Sequence, residues 1–303
     1  MRLPTRCALI FAVLFSAPFY VGAAVSERLV QPESTSYPGI LKVERFGNRE
    51  NRALVFIPAL FCGSWQWNAQ INKLSKEYNV LVVTLPGFGG RPMVAGDDLM
   101  ARAAESLHEL IATGHLRRPV VVGHSLGGTL AVYFAEHYPS DLTNLVTVEG
   151  GYPVAPTQPA RDAAVKKSTA PYEGLPQAEV GAVARKQTLQ YTITQKNDVE
   201  TVEILAARSK PAAIVAWLQA ALSLDLTPGL KRIAVPFTAI IPFDPDIDPY
   251  QGFKTAAQKQ DDYARWVANA PDGNVVLVTP SRHFVMFDRP QRFEQALEKA
   301  ISR

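Results

Sequence analysis

The sequence predicts an α/β protein with a doubly wound, mostly parallel sheet that one block of helices interrupts. Short apolar, β-branched runs alternate with segments whose apolar residues recur at helical spacing, which is typical of crossover units between parallel strands. This alternation stops after residue 151, because residues 153–230 are rich in Ala, Gln, Lys and Pro and lack a buried-strand pattern. We therefore expect a core of residues 25–152 and 231–303, with residues 153–230 forming a helical lid over the carboxyl edge of the sheet.

The predicted elements follow in order along the chain. Residues 25–52 are polar and mixed, and they allow one or two edge strands. Apolar, β-branched runs predict buried strands at residues 53–57, 80–84, 119–122, 145–148, 235–241 and 274–278. Apolar residues at helical spacing predict helices at residues 66–76, 97–113 and 129–137 and from about residue 291 onward.

A Gly-x-Ser-x-Gly pattern stands between a predicted strand and a predicted helix. Gly123, Ser125 and Gly127 follow the strand at residues 119–122 directly. The turn is so tight that the serine must adopt a strained backbone conformation, and the residues two before and two after it must lack bulk. The following helix directs free N–H groups and its positive dipole end at the serine, where negative charge develops during acyl transfer. This context predicts a nucleophile elbow with Ser125 as the nucleophile.

The N-terminal segment has the order of a secretory signal peptide. Arg2 and Arg6 precede an apolar run at residues 7–20, and residues 21–24 supply small side chains for cleavage. The alternative is an N-terminal membrane anchor, for which the apolar run is short and broken by a proline. We therefore expect residues 1–24 to be removed and the mature chain to be periplasmic or secreted, with no stable membrane anchor.

Composition argues against several classes of function. The formal net charge of +3 falls to about +1 when Arg2 and Arg6 are removed (3 − 2), and no basic cluster supports nucleic-acid binding. The same cleavage leaves Cys62 alone, so it cannot form an internal disulfide and is expected to be a small buried apolar residue. Cys/His metal-ligand spacing is absent from the sequence, and we expect neither a metal nor another cofactor.

The element order and several motifs resemble the α/β-hydrolase superfamily over nearly the whole mature chain. The matching features are the strand and loop at residues 55–67, the Leu-Pro-Gly-Phe-Gly turn at residues 85–89, the Gly-His-Ser-Leu-Gly-Gly elbow, the helical insert and the terminal Arg282-His283-Phe284. The superfamily usually has His-Gly after its third strand, where Pro58-Ala59 stands here, and Gly where Arg282 stands. The sequence looks closest to lidded bacterial esterases and aminopeptidase-like enzymes. The resemblance implies the α/β-hydrolase fold.

A serine nucleophile needs an adjacent base, usually a histidine that a carboxylate holds. Among the five histidines, only His283 follows a predicted strand at the carboxyl edge of the sheet. The superfamily's chain order of serine, acid and histidine agrees with this position. The other histidines are expected to be structural: His108 and His115 precede the elbow, His124 is its variable position, and His137 ends the next helix.

Two places remain open for the triad acid. The superfamily usually places it after the strand at residues 235–241, where Asp246 fits with one inserted residue and Asp244 with one removed. Some branches place it after the preceding strand, where Glu149 stands. The alternatives are a polar strand end for Glu149 and a solvated turn for the aspartates. The sequence leaves both places open, with Glu149 preferred to Asp246.

An oxyanion hole requires two backbone N–H donors. We expect one from Leu126, directly after the nucleophile, and the other from Leu60 in the loop after residue 57. The side chains expected at an apolar substrate pocket are those of Phe61, Trp65, Trp67 and His124. For the two tryptophans, packing beneath the loop is an equal alternative.

These residues predict a secreted serine hydrolase that cleaves an ester or other acyl bond of a small molecule through an acyl-enzyme. Ser125 would attack the acyl carbonyl, and His283 would take and return the proton. Three alternatives stay open: an aminopeptidase or amidase, cofactor-free peroxide chemistry on the same triad, and a non-catalytic binding protein on this fold.

Overall fold

A computed structural model describes residues 30–303, so the predicted signal peptide lies outside the described residues. Within them the chain forms an eight-stranded sheet of order β1-β2-β4-β3-β5-β6-β7-β8. The strands are β1 (Ser34–Ser36), β2 (Lys42–Phe46), β3 (Ala53–Ile57), β4 (Asn79–Thr84), β5 (Val120–His124), β6 (Asn144–Val148), β7 (Phe237–Pro242) and β8 (Gly273–Val278).

The sheet is mostly parallel, as predicted. β2 runs antiparallel to β1 and to β4, whereas β4, β3, β5, β6, β7 and β8 pair in parallel. Every residue of β3, β4, β5, β6 and β7 is buried. This burial explains the continuous apolar runs in the sequence, because parallel strands are covered on both faces. The carboxyl ends of these parallel strands meet at one edge, where a ligand site is expected.

The described α-helices include four that the sequence predicted individually, five within the predicted helical block and two, at residues 256–267 and 285–288, that it did not predict. They are α1 (Asn68–Leu74), α2 (Leu99–Thr113), α3 (Leu126–His137), α4 (Gln158–Thr169), α5 (Val180–Ala184), α6 (Gln190–Thr192), α7 (Lys196–Ala206), α8 (Pro211–Leu222), α9 (Ala256–Val267), α10 (Val285–Asp288) and α11 (Pro290–Ile301). α2 begins two residues later than predicted, because the Asp98 side chain caps it by accepting the Ala101 N–H at 3.1 Å. None of the described helices is long and apolar enough to span a membrane.

The predicted helical block lies between β6 and β7 as α4 to α8, with no strand among its described residues. Its last helix is anchored on the turn at residues 85–90. Trp217 of α8 is fully buried and donates its indole N–H to the Pro86 carbonyl at 3.0 Å, and the Lys210 N–H donates to the Gly87 carbonyl at 2.7 Å. The block is therefore attached to the sheet domain through its own hydrogen bonds, and its role as a lid stays a prediction.

Candidate active site

The chain turns sharply between β5 and α3, and Ser125 stands at that turn. Its backbone angles, φ 53° and ψ −117°, lie outside the regions that non-glycine residues ordinarily adopt. Such a conformation costs on the order of 1–3 kcal/mol and persists only where the surroundings enforce it. Here the Ser125 N–H donates to the Val148 carbonyl at 3.0 Å, so the end of β6 holds the turn. This is the strand-to-helix turn that the sequence predicted, and the role of Ser125 as a nucleophile stays a prediction.

Glycines make room around this turn. A Cβ at Gly123 would lie 2.2 Å from the Gly127 carbonyl oxygen, and one at Gly127 would lie 2.3 Å from the carbonyl oxygen of the last residue in β3. A Cβ at Gly128 would lie 2.8 Å from the Gly150 Cα. These contacts are with backbone atoms, which cannot move aside easily. α3 begins at Leu126, three residues before the predicted start at residue 129. The prediction began too late because glycine disfavours helix formation, whereas close packing requires glycines at these positions.

His283 lies beside the elbow and is bound to Glu149. Its Nδ1 lies 2.5 Å from Glu149 Oε2, and its ring centroid lies 4.5 Å from that of His124, the residue before Ser125. The structure thus brings His283 and Glu149 together at the edge of the sheet that presents Ser125. His283 follows β8 and Glu149 follows β6, as the sequence placed them.

Glu149 has an unusual backbone and a shifted titration. Its φ of 40° is left-handed, and its N–H still continues the β6–β7 ladder by donating to the Ile240 carbonyl at 3.0 Å. Burial by itself would raise the pKa of this carboxyl. The charge of Lys259 and the hydrogen bond with His283 outweigh burial and lower the pKa of Glu149 to about 2. The carboxylate is therefore ionised at neutral pH.

Sequence reasoning missed a buried lysine at this site. Lys259 of α9 is 1 % exposed, and its Nζ contacts Glu149 Oε1 and lies 2.5 Å from Asp248 Oδ1. Burial would lower the pKa of Lys259, but the two carboxylates outweigh burial and raise it. Nothing in the sequence distinguished this lysine from the others, because its partners come from segments 11 and 110 positions away.

The other two candidates for the triad acid, Asp246 and Asp244, have hydrogen-bond partners other than His283. Asp246 is exposed, and its N–H donates to Asp244 Oδ1 at 2.9 Å. Asp244 is buried, and its Oδ2 accepts from Arg282 Nε at 3.1 Å. In the described part of the chain, neither carboxylate is a hydrogen-bond partner of His283. The loop after β7 therefore turns its carboxylates toward its own backbone, Arg282 and Lys259.

The sequence placed His124 both among the structural histidines and at the expected pocket, and its surroundings favour the structural role. It is fully buried, its Nδ1 lies 3.0 Å from Gln66 Nε2, and its Nε2 lies 3.0 Å from the His283 carbonyl oxygen. Gln66 Oε1 accepts the Ala59 N–H at 2.8 Å, so the Gln66 amide must donate to His124 Nδ1. Burial and the neighbouring His283 lower the pKa of His124 well below its usual value. This neutral ring links the loop after β3 to the His283 segment.

The two expected oxyanion donors lie at the elbow and in the loop after β3. Leu126 begins α3, directly after Ser125. Leu60 is half-buried in the loop after β3. This loop is closed by a hydrogen bond from the Cys62 N–H to the Ala59 carbonyl at 3.1 Å, and Phe61 within it has a left-handed φ of 69°. Cys62 is fully buried, as expected, and burial raises its thiol pKa. The placement is compatible with two N–H donors beside Ser125, and their role stays a prediction.

The three aromatic side chains expected at the pocket have different surroundings. Phe61 is buried, and its ring centroid lies 5.9 Å from that of Tyr172 in the helical block. Trp65 is half-buried. Trp67 is fully buried, with ring centroids 5.1 Å from Phe56 and 6.2 Å from Phe293. Trp67 therefore packs in the core beneath the loop, which is one of the two interpretations that the sequence left open.

Arg282 explains one departure from the superfamily pattern. Its guanidinium binds Asp244 and also donates through Nη1 to the Gln190 carbonyl at 3.1 Å. Two residues further on, the backbone N–H of Phe284 donates to the Thr192 carbonyl at 3.0 Å. A glycine could not make the side-chain contacts. Arg282 thus fastens the helical insert to the segment that carries His283.

The chain belongs to the Alpha/beta hydrolase family, whose sequence model matches residues 54–296. A curated relative, "Putative carbamate hydrolase RutD" of Escherichia coli O17:K52:H18 (strain UMN026 / ExPEC), is 33 % identical over 98 residues, which is 32 % of this chain and 35 % of the relative. The match thus spans about a third of the length of that relative.

Solved structures share the fold. A thermophilic esterase from Thermogutta terrifontis superposes with a TM-score of 0.69 at 20 % identity, covering 90 % of this chain and 97 % of that one. A bromoperoxidase from Bacillus anthracis superposes with a TM-score of 0.74 at 17 % identity, covering 89 % and 100 %. At these identities the likeness shows the fold alone. The match to the family model, which spans most of the chain, supports hydrolytic activity.

Proposed function

We propose that this protein is a serine hydrolase that cleaves an ester or other acyl bond of a small molecule through a covalent acyl-enzyme. The observation that carries the proposal is the 2.5 Å contact between His283 Nδ1 and Glu149 Oε2, beside the elbow that presents Ser125. A carboxylate, a histidine and an activated serine in this order form the constellation for nucleophilic acyl transfer.

The reaction follows from the roles of these groups. The ionised Glu149 holds the His283 Nδ1–H, which leaves Nε2 to take the proton of the Ser125 hydroxyl as Oγ attacks the acyl carbonyl. The Leu126 and Leu60 N–H groups stabilise the resulting oxyanion. The tetrahedral intermediate expels its alcohol, which takes the proton back from Nε2. Water then attacks the acyl-enzyme by the same proton transfers and releases the acid.

A substrate panel and an active-site phosphonate test this proposal. Purified protein is expected to turn over acyl esters faster than the matching amides and aminoacyl arylamides, since an alcohol leaves more readily than an amine. Faster turnover of the arylamides would favour an aminopeptidase instead. Halogenation with peroxide but no acyl hydrolysis would favour peroxide chemistry. A protein that turns over none of them and resists the phosphonate would be a binding protein, and the proposal would be wrong.

We also propose that the chain is exported and that the mature protein begins at Ala24 or Val25. The order of basic, apolar and small residues in the first 24 positions supports this. The intact mass of the protein in the periplasmic or secreted fraction should correspond to that start. A full-length chain retained in the membrane fraction would contradict export with cleavage.

A further inference from the structure

Lys259 lies between two carboxylates next to the proposed base. Its Nζ binds one oxygen of Glu149, and His283 Nδ1 binds the other at 2.5 Å. We propose that Lys259 is a positioning residue, which holds the Glu149 carboxylate in the orientation that His283 requires while Asp248 balances its charge. The inference rests on the proposed function of Ser125 and His283, and it adds a residue that acts through Glu149.

The geometry explains why a lysine suits this position. A carboxylate bound only by His283 could rotate about its terminal bond, whereas one bound at both oxygens has a fixed plane. Lys259 is 1 % exposed, so water cannot solvate its charge, and it requires partners within the protein. Glu149, Asp248 and the ring of Phe253, whose centroid lies 5.3 Å from Nζ, supply them.

Asp248 is itself held in place. Its Oδ1 lies 2.5 Å from Lys259 Nζ, and its Oδ2 accepts the Asp244 N–H at 2.7 Å. The chain of contacts runs from the loop after β7 through α9 to the end of β6 and then to His283. The loop that usually carries the superfamily's acid therefore reaches the histidine here through a lysine and a second carboxylate.

The total charge of Asp248, Lys259 and Glu149 influences the protonation of His283. With both carboxylates ionised and Lys259 protonated, Asp248, Lys259 and Glu149 together carry −1, although burial raises the pKa of Asp248. Among the described residues near His283, Glu149 and Asp248, the other titratable groups are neutral, paired, or unaltered by a change at Lys259 or Asp248. His124 and Tyr263 are buried and neutral, Arg282 is paired with Asp244, and Asp288 accepts from the Thr194 and Arg282 backbone. A change of charge at position 259 or 248 should therefore shift the His283 titration in a direction that the sign of the change determines.

Three variants change this sum in different ways. Lys259→Met removes the positive charge and leaves the two carboxylates, which favours the imidazolium, so the His283 ring should titrate at a higher pH than in wild type. Asp248→Asn makes the sum zero, so the ring should titrate at a lower pH. The double variant restores −1 and should return the titration toward that of wild type. Lys254→Met, which removes an exposed positive charge just before α9, is the matched control and should leave the titration unchanged.

The test is an NMR titration of the His283 ring in wild type and variants, assigned with His283→Ala, together with thermal melts. It needs no substrate, so it can fail or succeed independently of the hydrolase proposal, which the phosphonate tests. In assays with substrate, the acidic side of the pH profile of kcat/KM should shift together with the titration of the ring. Lys259→Arg keeps the positive charge and should keep the wild-type profile. If Lys259→Met does not fold, Asp248→Asn alone still decides by its downward shift. Lower melting temperatures with an unmoved His283 titration would reduce Lys259 to a structural ion pair and overturn the proposal.

Discussion

Replacing Ser125 or His283 by alanine is expected to lower ester turnover by a factor of about 10⁴ or more, with the fold intact. Without Ser125 there is no nucleophile, and without His283 the hydroxyl keeps its proton. The double variant should lose little beyond either single variant, because neither group accelerates the reaction without the other. Initial rates of the three purified variants on the best ester of the panel check this result.

A matched control and a clear contrary outcome accompany these variants. His137→Ala removes an exposed histidine whose Nδ1 lies 2.8 Å from the Tyr133 carbonyl oxygen of its own helix, and it should keep wild-type turnover. Thermal melts show whether each variant is folded. If the losses from Ser125→Ala and His283→Ala simply multiply in the double variant, the two residues do not share a mechanism.

Glu149→Gln is expected to lower kcat by up to about 10⁴ with KM little changed. The amide is nearly the same size, but it cannot stabilise the imidazolium that forms during proton transfer, and it can present an N–H group to Nδ1. The change also leaves Lys259 with one carboxylate, so a lower melting temperature should accompany the kinetic loss. Steady-state kinetics under conditions where the melt shows a folded protein separate the two effects.

Asp246→Asn is the matched control, because it makes the same chemical change on an exposed carboxylate of the competing loop. It should be the milder substitution by a wide margin. If Asp246→Asn abolishes turnover while Glu149→Gln keeps most of it, the acid lies in the usual place of the superfamily and the assignment to Glu149 is wrong.

The features predicted from sequence are those that depend on local pattern. The prediction of a mostly parallel sheet is confirmed, because buried strands such as residues 119–122 show as continuous β-branched runs. The strand-to-helix turn around Ser125 could also be located, since its glycine spacing is local. The position of His283 followed from its place after the last strand.

The remaining features depend on which distant segments meet. The choice between Glu149 and Asp246 required the course of the loop after β7, which turns Asp244 toward Arg282 and leaves Asp246 exposed. The structure brings Glu149 to His283, and its catalytic role stays a prediction for the variants above. Lys259 had no signal at all, because a lysine on an amphipathic helix is ordinarily exposed.

Covalent labelling by a fluorophosphonate tests the central claim most directly, because the reagent reacts with a serine that a histidine has activated. The intact mass should increase by one phosphonyl group, and peptide mass spectrometry should locate that group on Ser125. Ser125→Ala should take up no label, and Glu149→Gln should be labelled much more slowly than Asp246→Asn. A wild-type protein that is folded and remains unlabelled, or that carries the label on another residue, would contradict the assignment of Ser125, His283 and Glu149 as one catalytic unit.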